Sequence, residues 1–566
     1  MLKGRPKGSS ATTARGNVEG RTIEWRPHRD AAPEEAQRKD AEEVVRGSGV
    51  NFLGNFGKLS KSLYYIVITR FVGADAFGLY TLGWSLIDLA SKFGLFGLDR
   101  GVVRFVSQHR IEGDAAGAHR IVGQALTLGL IASLAATALV WVAAPWAAAS
   151  VFHHPELSPI LRILGLSIPF LVGSSILLAA LKAVRIMKFD VYVRSLAEPF
   201  ALLSSAVVLC ALGWTMSGLA FAYLIAAACG LILSIRFFGR VFSPSQCVSG
   251  MGLPRSPVIS FCAPLPFHDA LGALMSRLDL FILAAFLPAA SVGIYAATCE
   301  VAWAVKDIRQ AVDPIFAPVA SSLIHERKQE RLSALFASVT RWIVILELAF
   351  LLGVGLWGET VLSVFGPAFA AGFWGLILLS VAYALNGAFG SSEMLLMMSG
   401  RSGLNLLNTV LLVAVTCGLN LLLIPRYGIA GAALAAVISL TLINLLRIVQ
   451  VRVCLGIHPF RRSLIKPFAA AGPALAVGLF LMRLGAPWAY LSALSLPLYF
   501  GLVRAFGLEA GDRDLLEKLH HKAPFLRRWA RVWDRIGVQA RKASGRLFCP
   551  FRPGAPSDSR TNAAAD

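Results

Sequence analysis

Charged residues are scarce in this sequence. Asp, Glu, Lys and Arg make up only 15% of its 566 residues, whereas 56% of the residues are hydrophobic and the mean hydropathy is +0.64. Soluble globular domains carry about 25% charged residues. The shortage excludes a water-soluble multidomain protein.

Acidic residues and paired cysteines are also few. The chain has 33 Asp and Glu against 54 Lys and Arg, a formal net charge of +21. In a membrane protein, Lys and Arg gather in cytoplasmic loops and tails, so this excess does not predict nucleic acid as a partner. None of the eight cysteines forms a CxxC pair, and neither a disulfide framework nor a metal site is predicted.

The motifs of common enzymes are missing. The segment 54–60 resembles a phosphate loop, but Walker A needs Gly five residues before the Gly-Lys pair and Ser or Thr after it. Phe52 and Leu59 stand at those positions, and the chain contains neither HExxH nor Gly-x-Ser-x-Gly. Because the predicted outer loops are also short, we predict no enzyme and no cofactor.

Long apolar stretches recur through most of the chain. A membrane-crossing helix needs roughly 20 apolar residues and a barrel strand about 10, and these stretches have the helical length. The sequence predicts an all-α polytopic membrane protein with about fourteen transmembrane helices. The predicted spans lie at 48–71, 77–98, 121–149, 159–181, 192–212, 217–236, 262–286, 291–318, 336–358, 372–397, 403–424, 429–451, 464–484 and 487–507.

The distribution of basic residues predicts the orientation. If the N-terminus is cytoplasmic, the inner loops hold most of the basic residues in short loops, and the outer loops hold almost none. Both termini are therefore predicted to be cytoplasmic. The inner-loop residues include Arg104, Arg110, Lys182, Arg185, Lys188, Arg236, Arg327, Lys328, Arg331, Arg461 and Arg462.

An internal repeat occurs at an offset of 215 residues. Phe71, Ala74, Gly78 and Tyr80 match Phe286, Ala289, Gly293 and Tyr295. An offset of six spans preserves orientation, so the repeats are expected to be related by an axis along the membrane normal. The repeat predicts two pseudo-symmetric six-helix lobes that face a central cavity, followed by two C-terminal helices.

These patterns divide the chain into six parts. We predict a disordered cytoplasmic N-terminal tail, an N-lobe of spans 1–6, an inter-lobe linker, a C-lobe of spans 7–12, spans 13 and 14, and a basic cytoplasmic tail. In that tail, aromatic and basic residues at helical spacing favour an amphipathic helix on the anionic inner leaflet over a disordered segment. The boundaries are 1–46, 47–236, 237–261, 262–453, 464–507 and 508–566.

Polar residues in the first span form a helical stripe. Asn51, Asn55, Lys58 and Ser62 fall on one face at 100° per residue, and Lys61 lies to one side. Such a stripe is expected to line the cavity. For Lys58 this interpretation is favoured over snorkelling or ion pairing, and for Lys61 the alternatives stay open.

Other charges within the spans are candidates for ligand or ion binding. Arg277 can bind an anion or pair with Asp279, and Asp88 lies four residues before Lys92, where an ion pair explains it. Glu198, Glu300 and Asp88 are the candidates for a carboxylate that binds a coupling ion. Glu198, Glu347 and Glu393 are lone membrane carboxylates, and each is either a protonation site for a coupling ion or a neutral, hydrogen-bonded group.

Several segments together resemble the polysaccharide transporter branch of the multidrug/oligosaccharidyl-lipid/polysaccharide exporter superfamily, the O-antigen and exopolysaccharide flippases. The similarity extends from about residue 45 to 507, and the tails are longer than the family needs. The segments are Gly49–Gly54, Thr69–Gly73, Gly78–Tyr80, Phe96–Phe105, Asp313–Pro318 and Ile424–Ala433.

The resemblance implies a function. Such proteins move an oligosaccharide on undecaprenyl pyrophosphate across the bacterial inner membrane, by alternating access through a cationic cavity. Our hypothesis is that Lys58 contacts the pyrophosphate, with Lys61 and Arg277 as second candidates and Asn51, Asn55 and Ser62 as further cavity residues. H⁺, Na⁺ or the membrane potential would supply the energy, and polysaccharide polymerase or assembly proteins are expected as partners.

Two alternatives stay open. One is a lipid II or multidrug exporter of the same fold, although a drug exporter is expected to have an acidic cavity and the stripe around Lys58 is basic. The other is a membrane-embedded polymerase or glycosyltransferase, which usually needs a larger outer loop than this sequence offers.

Overall fold

The computed structural model is an all-α protein in the part of the chain that it describes. The backbone is described at 17–18, 21–22, 33–253, 256–485 and 490–506, and the side chains at 60, 62–253, 257–485 and 490–506. Apart from helices and connections, this part contains one small hairpin, in which β1 (Asn17–Val18) pairs antiparallel with β2 (Arg21–Thr22).

The helices follow one another with short connections. They are α1 Pro33–Leu95, α2 Leu98–Glu112, α3 Ala115–Trp146, α4 Leu157–Gly165, α5 Ile168–Ala183, α6 Lys188–Val191, α7 Glu198–Ala211, α8 Met216–Phe238 and α9 Pro244–Ser249. They continue as α10 Ser256–Cys262, α11 Leu265–Phe286, α12 Ala289–His325, α13 Gln329–Ser363, α14 Phe373–Ala388, α15 Ser392–Met398, α16 Ser402–Leu455, α17 Ile465–Arg483 and α18 Ser495–Ala505. Short π-helices occupy Ala147–Val151 and Tyr192–Ala197, and 3₁₀ turns Pro367–Gly372, Arg462–Leu464 and Ser492–Leu494.

The helices confirm the predicted class of polytopic membrane protein. Within the described residues, nine helical stretches are long and apolar enough to cross a membrane, and two of them, with 51 and 54 residues, are long enough to cross twice. Helices α11 and α12 carry more charged residues and are not among the nine. Each of the fourteen predicted spans overlaps at least one of the helices α1 to α18.

Two long helices are interrupted at a glycine. In α1 the break is at Gly73 (φ 76°, ψ −176°), and in α16 it is at Gly428 (φ 58°, ψ −132°). A residue with a Cβ is strained at these positive φ values. The breaks separate the first from the second predicted span, and the eleventh from the twelfth.

The repeated segments pack directly against each other. A Cβ on Gly78 would overlap the carbonyl oxygen of Ala289, and a Cβ on Gly293 would overlap the carbonyl oxygen of Ala74. The contact is reciprocal, because each glycine faces the alanine four residues before its counterpart. This is the pattern that a local two-fold axis produces, and small residues at positions i and i+4 let helix backbones approach closely.

The chain divides into two compact units. The first comprises Met1–Ala304, Trp357–Tyr383 and Gly403–Ile443, and the second comprises Val305–Leu356, Ala384–Ser402 and Asn444–Asp566. The core of the second unit packs Phe316, Phe336, Leu395 and Val451 together. This division follows contacts, and the predicted boundaries of tails, lobes and linker stay predictions.

The two predicted tails are described only in part. Helix α1 begins at Pro33, inside the segment predicted to be the N-terminal tail. The basic segment 508–566, with its predicted amphipathic helix, lies outside the described residues.

The reciprocal glycine contact gives a first prediction. Gly78→Ala and Gly293→Ala are each expected to destabilise the protein by about 1–3 kcal/mol, because the methyl group overpacks a backbone contact. The midpoint of thermal unfolding in detergent measures the effect. Gly272→Ala, in α11 with no atom near its Cβ position, is the matched control and is expected to be neutral or slightly stabilising. Equal midpoints for Gly78→Ala and Gly272→Ala would show that the contact is not formed.

Candidate functional site

Most of the predicted polar stripe lies beyond the described side chains. This applies to Asn51, Asn55, Lys58 and Lys61, so their assignment to the cavity stays a prediction. Ser62 is described: its side chain is exposed, and it makes contacts of its own.

The first unit contains a cavity of about 250 Å³ with an aromatic wall. Tyr80 and Trp84 stand four residues apart in α1, so their rings lie on the same helix face. The rings that line the cavity are those of Tyr64, Tyr65, Tyr80, Trp84 and Tyr223, and Leu171, Pro199, Leu202, Ala226 and Ala227 complete its apolar lining. The cavity therefore offers ring faces and phenol hydroxyl groups to a ligand.

Two charged residues also line this cavity. Arg194 forms an ion pair with Asp190 (Nε to Oδ1, 3.3 Å) and donates to Ser175 (2.8 Å). The Glu198 carboxyl group lies against Gly230 of α8, where any side chain would overlap it. Glycine at this position leaves room for the carboxyl group at the cavity wall. Glu198 is thus the candidate carboxylate with access to a cavity.

Arg277 of α11 lies between two indole rings. Its guanidinium carbon is 5.0 Å from the ring centre of Trp84 and 4.7 Å from that of Trp303. Cations are attracted to the negative faces of aromatic rings at these distances. Because Trp84 also lines the cavity, the guanidinium group lies beside one of the cavity's wall residues.

Of the two alternatives for Arg277, an ion pair with Asp279 is not formed, although the guanidinium group acts electrostatically on that carboxyl group. Asp279 instead accepts hydrogen bonds from the Tyr295 hydroxyl and from the Leu280 amide (2.9 Å). Among the described residues no carboxylate forms an ion pair with Arg277. The N–H groups of this guanidinium therefore form no ion pair with a described carboxylate that would compete with an anionic ligand.

The other candidate carboxylates have neighbours. Asp88 pairs with Lys92 at 2.9 Å, as the i, i+4 spacing predicts. Glu300 is close enough to Tyr65 to act electrostatically on its hydroxyl group, and it makes further contacts. In the described ranges no three His, Cys, Asp or Glu side chains come together as they would around a metal ion.

Sequence reasoning missed two features. It did not assemble the aromatic wall, although the pair Tyr64 and Tyr65 and the spacing of Tyr80 and Trp84 were available signals. It also treated Glu393 as a lone carboxylate, whereas Arg447 of α16, 5% exposed, binds it at 3.2 Å. That ion pair joins residues far apart in the chain, and no local sequence pattern predicts it.

Known proteins resemble this chain in sequence and in fold. Residues 44–308 match the family described as polysaccharide biosynthesis protein. A curated relative, the probable low-salt glycan biosynthesis flippase Agl15 of Haloferax volcanii, is 27% identical over 173 residues. That alignment covers 30% of this chain and 36% of the relative, so the chain matches about a third of the length of that protein.

Two solved structures share the fold at low identity. One is a lipid II flippase, MurJ, in an inward closed conformation, with a TM-score of 0.64 and 14% identity over 82% of this chain and 99% of that one. The other is an inward-facing multidrug resistance transporter of the MATE family, with a TM-score of 0.55 and 15% identity over 71% and 94%. Identities this low show the fold alone.

The position of Arg277 gives a second prediction. Trp84→Leu is expected to lower the free energy of unfolding by about 0.5–2 kcal/mol, because the Arg277 guanidinium group loses its contact with one of its two aromatic rings. In an Arg277→Met background the same change is expected to cost less, and a double-mutant cycle from thermal unfolding measures the difference. Trp374→Leu, at a residue that is 68% exposed, is the control. A coupling of zero would exclude the cation–ring interaction.

Proposed function

We propose that this chain belongs to the polysaccharide transporter branch of the multidrug/oligosaccharidyl-lipid/polysaccharide exporter superfamily and that it is a flippase. It moves an oligosaccharide on undecaprenyl pyrophosphate from the inner to the outer face of the bacterial inner membrane, for O-antigen, capsule or exopolysaccharide synthesis. The observation that carries the proposal is an aromatic cavity and, beside its wall residue Trp84, the guanidinium group of Arg277, which forms no ion pair with a carboxylate among the described residues.

The aromatic wall suits a sugar. The carbon-bound hydrogens on one face of a pyranose ring pack against an aromatic face, whose quadrupole is negative, while hydroxyl groups of Tyr64, Tyr80 or Tyr223 exchange hydrogen bonds with the sugar. A polar head group loses several kcal/mol per unsatisfied group in hydrocarbon. The cavity substitutes for water during the passage.

Arg277 suits the pyrophosphate. A guanidinium group binds phosphate oxygens through paired N–H groups, and these charge-assisted bonds are about twice as strong as neutral ones. Contact with Trp84 and Trp303 restricts the motion of the guanidinium group, which lowers the entropy lost when it binds a phosphate. Lys58, the primary sequence candidate, supplies a second positive charge from the first span.

The membrane potential can assist the transport. Moving one negative charge outward across an inside-negative membrane gains about 2.3 kcal/mol per 100 mV. We further propose that both termini are cytoplasmic, so that the basic residues of the segment 508–566 can bind the anionic inner leaflet.

Polysaccharide polymerase and assembly proteins are the proposed partners, because they use the translocated product.

Two other functions use the same fold. A multidrug exporter handles cations, and Arg277 beside the cavity opposes them. A lipid II flippase carries the same pyrophosphate, so restoration of growth to a strain depleted of its own lipid II flippase would favour that substrate. A polymerase would change glycan chain length and leave translocation normal.

The first test of this function measures on which face the lipid-linked oligosaccharide lies. In spheroplasts lacking the protein, a membrane-impermeant reagent that modifies sugars is expected to leave the oligosaccharide unmodified, because it stays on the inner face. Arg277→Gln is expected to slow translocation about tenfold to a hundredfold, because a charge-assisted contact of about 1.5–3 kcal/mol is lost. Arg277→Lys keeps the charge and is expected to retain part of the rate.

Lys58→Ala is compared in the same assay. Unchanged export in Lys58→Ala at normal expression would remove that residue from the site. Unchanged sidedness in the deletion strain, with no second transporter present, would contradict the flippase function itself.

A second test fills the cavity. Leu202→Trp places an indole among the wall residues, so it is expected to reduce transport at least about tenfold by excluding the sugar, with the protein still folded. Phe200→Trp, on the same helix at a residue that is 59% exposed, is the control and is expected to transport normally. Equal transport by the two variants would show that the substrate does not use this cavity.

A further inference from the structure

Glu347 is a buried carboxyl group without a partner. It lies in α13 and is 0% exposed, and neither of its carboxyl oxygens has a hydrogen-bond donor among the described residues. The carboxyl group is seated against the backbone of α14 at Gly387, where any side chain would overlap it. The glycine thus provides room for this one acidic group inside the second unit.

The charged residues of the same unit are paired with other groups. Arg309 of α12 donates to Asp313 (3.1 Å), which also accepts from Ser391 (2.5 Å). Arg447 of α16 binds Glu393 of α15 at 3.2 Å. Each of these two arginines has a carboxylate partner, and neither ion pair includes Glu347.

Other polar groups that neighbour Glu347 or Gly387 in sequence are bonded elsewhere. The hydroxyl group of Tyr499 donates to the carbonyl oxygen of Ile345 (3.1 Å), and Asn386 of α14 accepts from Asn444 (2.8 Å). Arg341, on the same helix, has contacts of its own. Arg309 acts on Glu347 electrostatically, and its buried Nε has no partner among the described residues.

A carboxylate in this position is costly. Burial of an unpaired ionised group costs several kcal/mol even after relaxation, so a group in such a site takes up a proton instead. A metal cation needs several ligands, and in the described part of the chain no three His, Cys, Asp or Glu side chains come together, whereas a proton needs only the one carboxyl group. The site therefore fits a proton better than a metal cation.

We propose that Glu347 binds the proton that is exchanged for the substrate. The inference rests on the transport function proposed above and adds the coupling ion and its residue. Uptake of one proton converts the carboxylate to the neutral acid, which matches the closely packed arrangement against Gly387. Loss of that proton leaves a carboxylate that must reach Arg309 or water, and α13 and α14 must then separate. Protonation thus selects between two packings of this unit.

Infrared difference spectroscopy on the full chain in lipid nanodiscs tests the protonation directly. At neutral pH the wild-type protein is expected to show the carbonyl band of a protonated carboxylic acid that E347Q lacks. E359Q, the same change at an exposed residue of the same helix, is the control and is expected to keep the band. Persistence of the full band in E347Q would overturn the assignment, and it would do so whether or not the protein transports glycans.

Proteoliposomes with an imposed pH gradient test the coupling. Each unit of pH gradient is expected to speed wild-type translocation by up to about tenfold, the limit for one proton, and to leave E347Q unaffected. Gradient dependence that persists in E347Q, or acceleration by a Na⁺ gradient instead, would overturn the proposal. If the wild-type protein fails to move the lipid-linked oligosaccharide at all, the transport function fails, and the infrared result alone decides whether Glu347 holds a proton.

Discussion

The hydrocarbon interior of a membrane offers no hydrogen-bond partner, and every polar group inside it must find one within the protein. This constraint explains why the described chain is helical and why its intramembrane charges have such specific surroundings. Asp88 has Lys92, Asp279 has Tyr295 and Glu393 has Arg447. Within the described residues, Arg277 forms no ion pair with a carboxylate and Glu347 accepts no hydrogen bond, so a ligand or a proton can bring compensation to them.

Glycine solves two different packing problems in this fold. At Gly78 and Gly293 it lets two helix backbones meet, with each glycine against the other segment's alanine carbonyl. At Gly230 and Gly387 it makes room for a carboxyl group, that of Glu198 and that of Glu347. Because a methyl group at any of these positions would overlap existing atoms, the spaces are part of the architecture.

The two polar sites differ in the role that their surroundings permit. The Arg277 side chain lies over two aromatic rings and is only partly buried, an arrangement that suits a ligand which enters and leaves. Glu347 is closed off from solvent and from donors, an arrangement that suits a proton. In the proposed transporter one site binds the substrate, and the other makes the packing of α13 against α14 depend on protonation.

Local patterns were sufficient for the class of fold. The apolar runs indicated membrane helices, because crossing hydrocarbon requires length and apolarity, and the repeat of Phe71–Tyr80 at Phe286–Tyr295 identified the two segments that prove to be in contact. The Asp88–Lys92 pair also followed from spacing alone. These properties depend on neighbours in the chain, which a sequence displays directly.

The site depended on contacts between distant segments. The sequence named Arg277 but could not tell whether Asp279 or two indoles surround it, because Trp84 and Trp303 come from other helices. It named Glu347 and Glu393 as equals, and only the folded chain distinguishes them, since Arg447 reaches one and not the other. Whether a membrane charge is neutralised depends on what packs against it in three dimensions. The sequence alone therefore determined the helices, whereas only the tertiary structure distinguished the charges on which the two proposals rest.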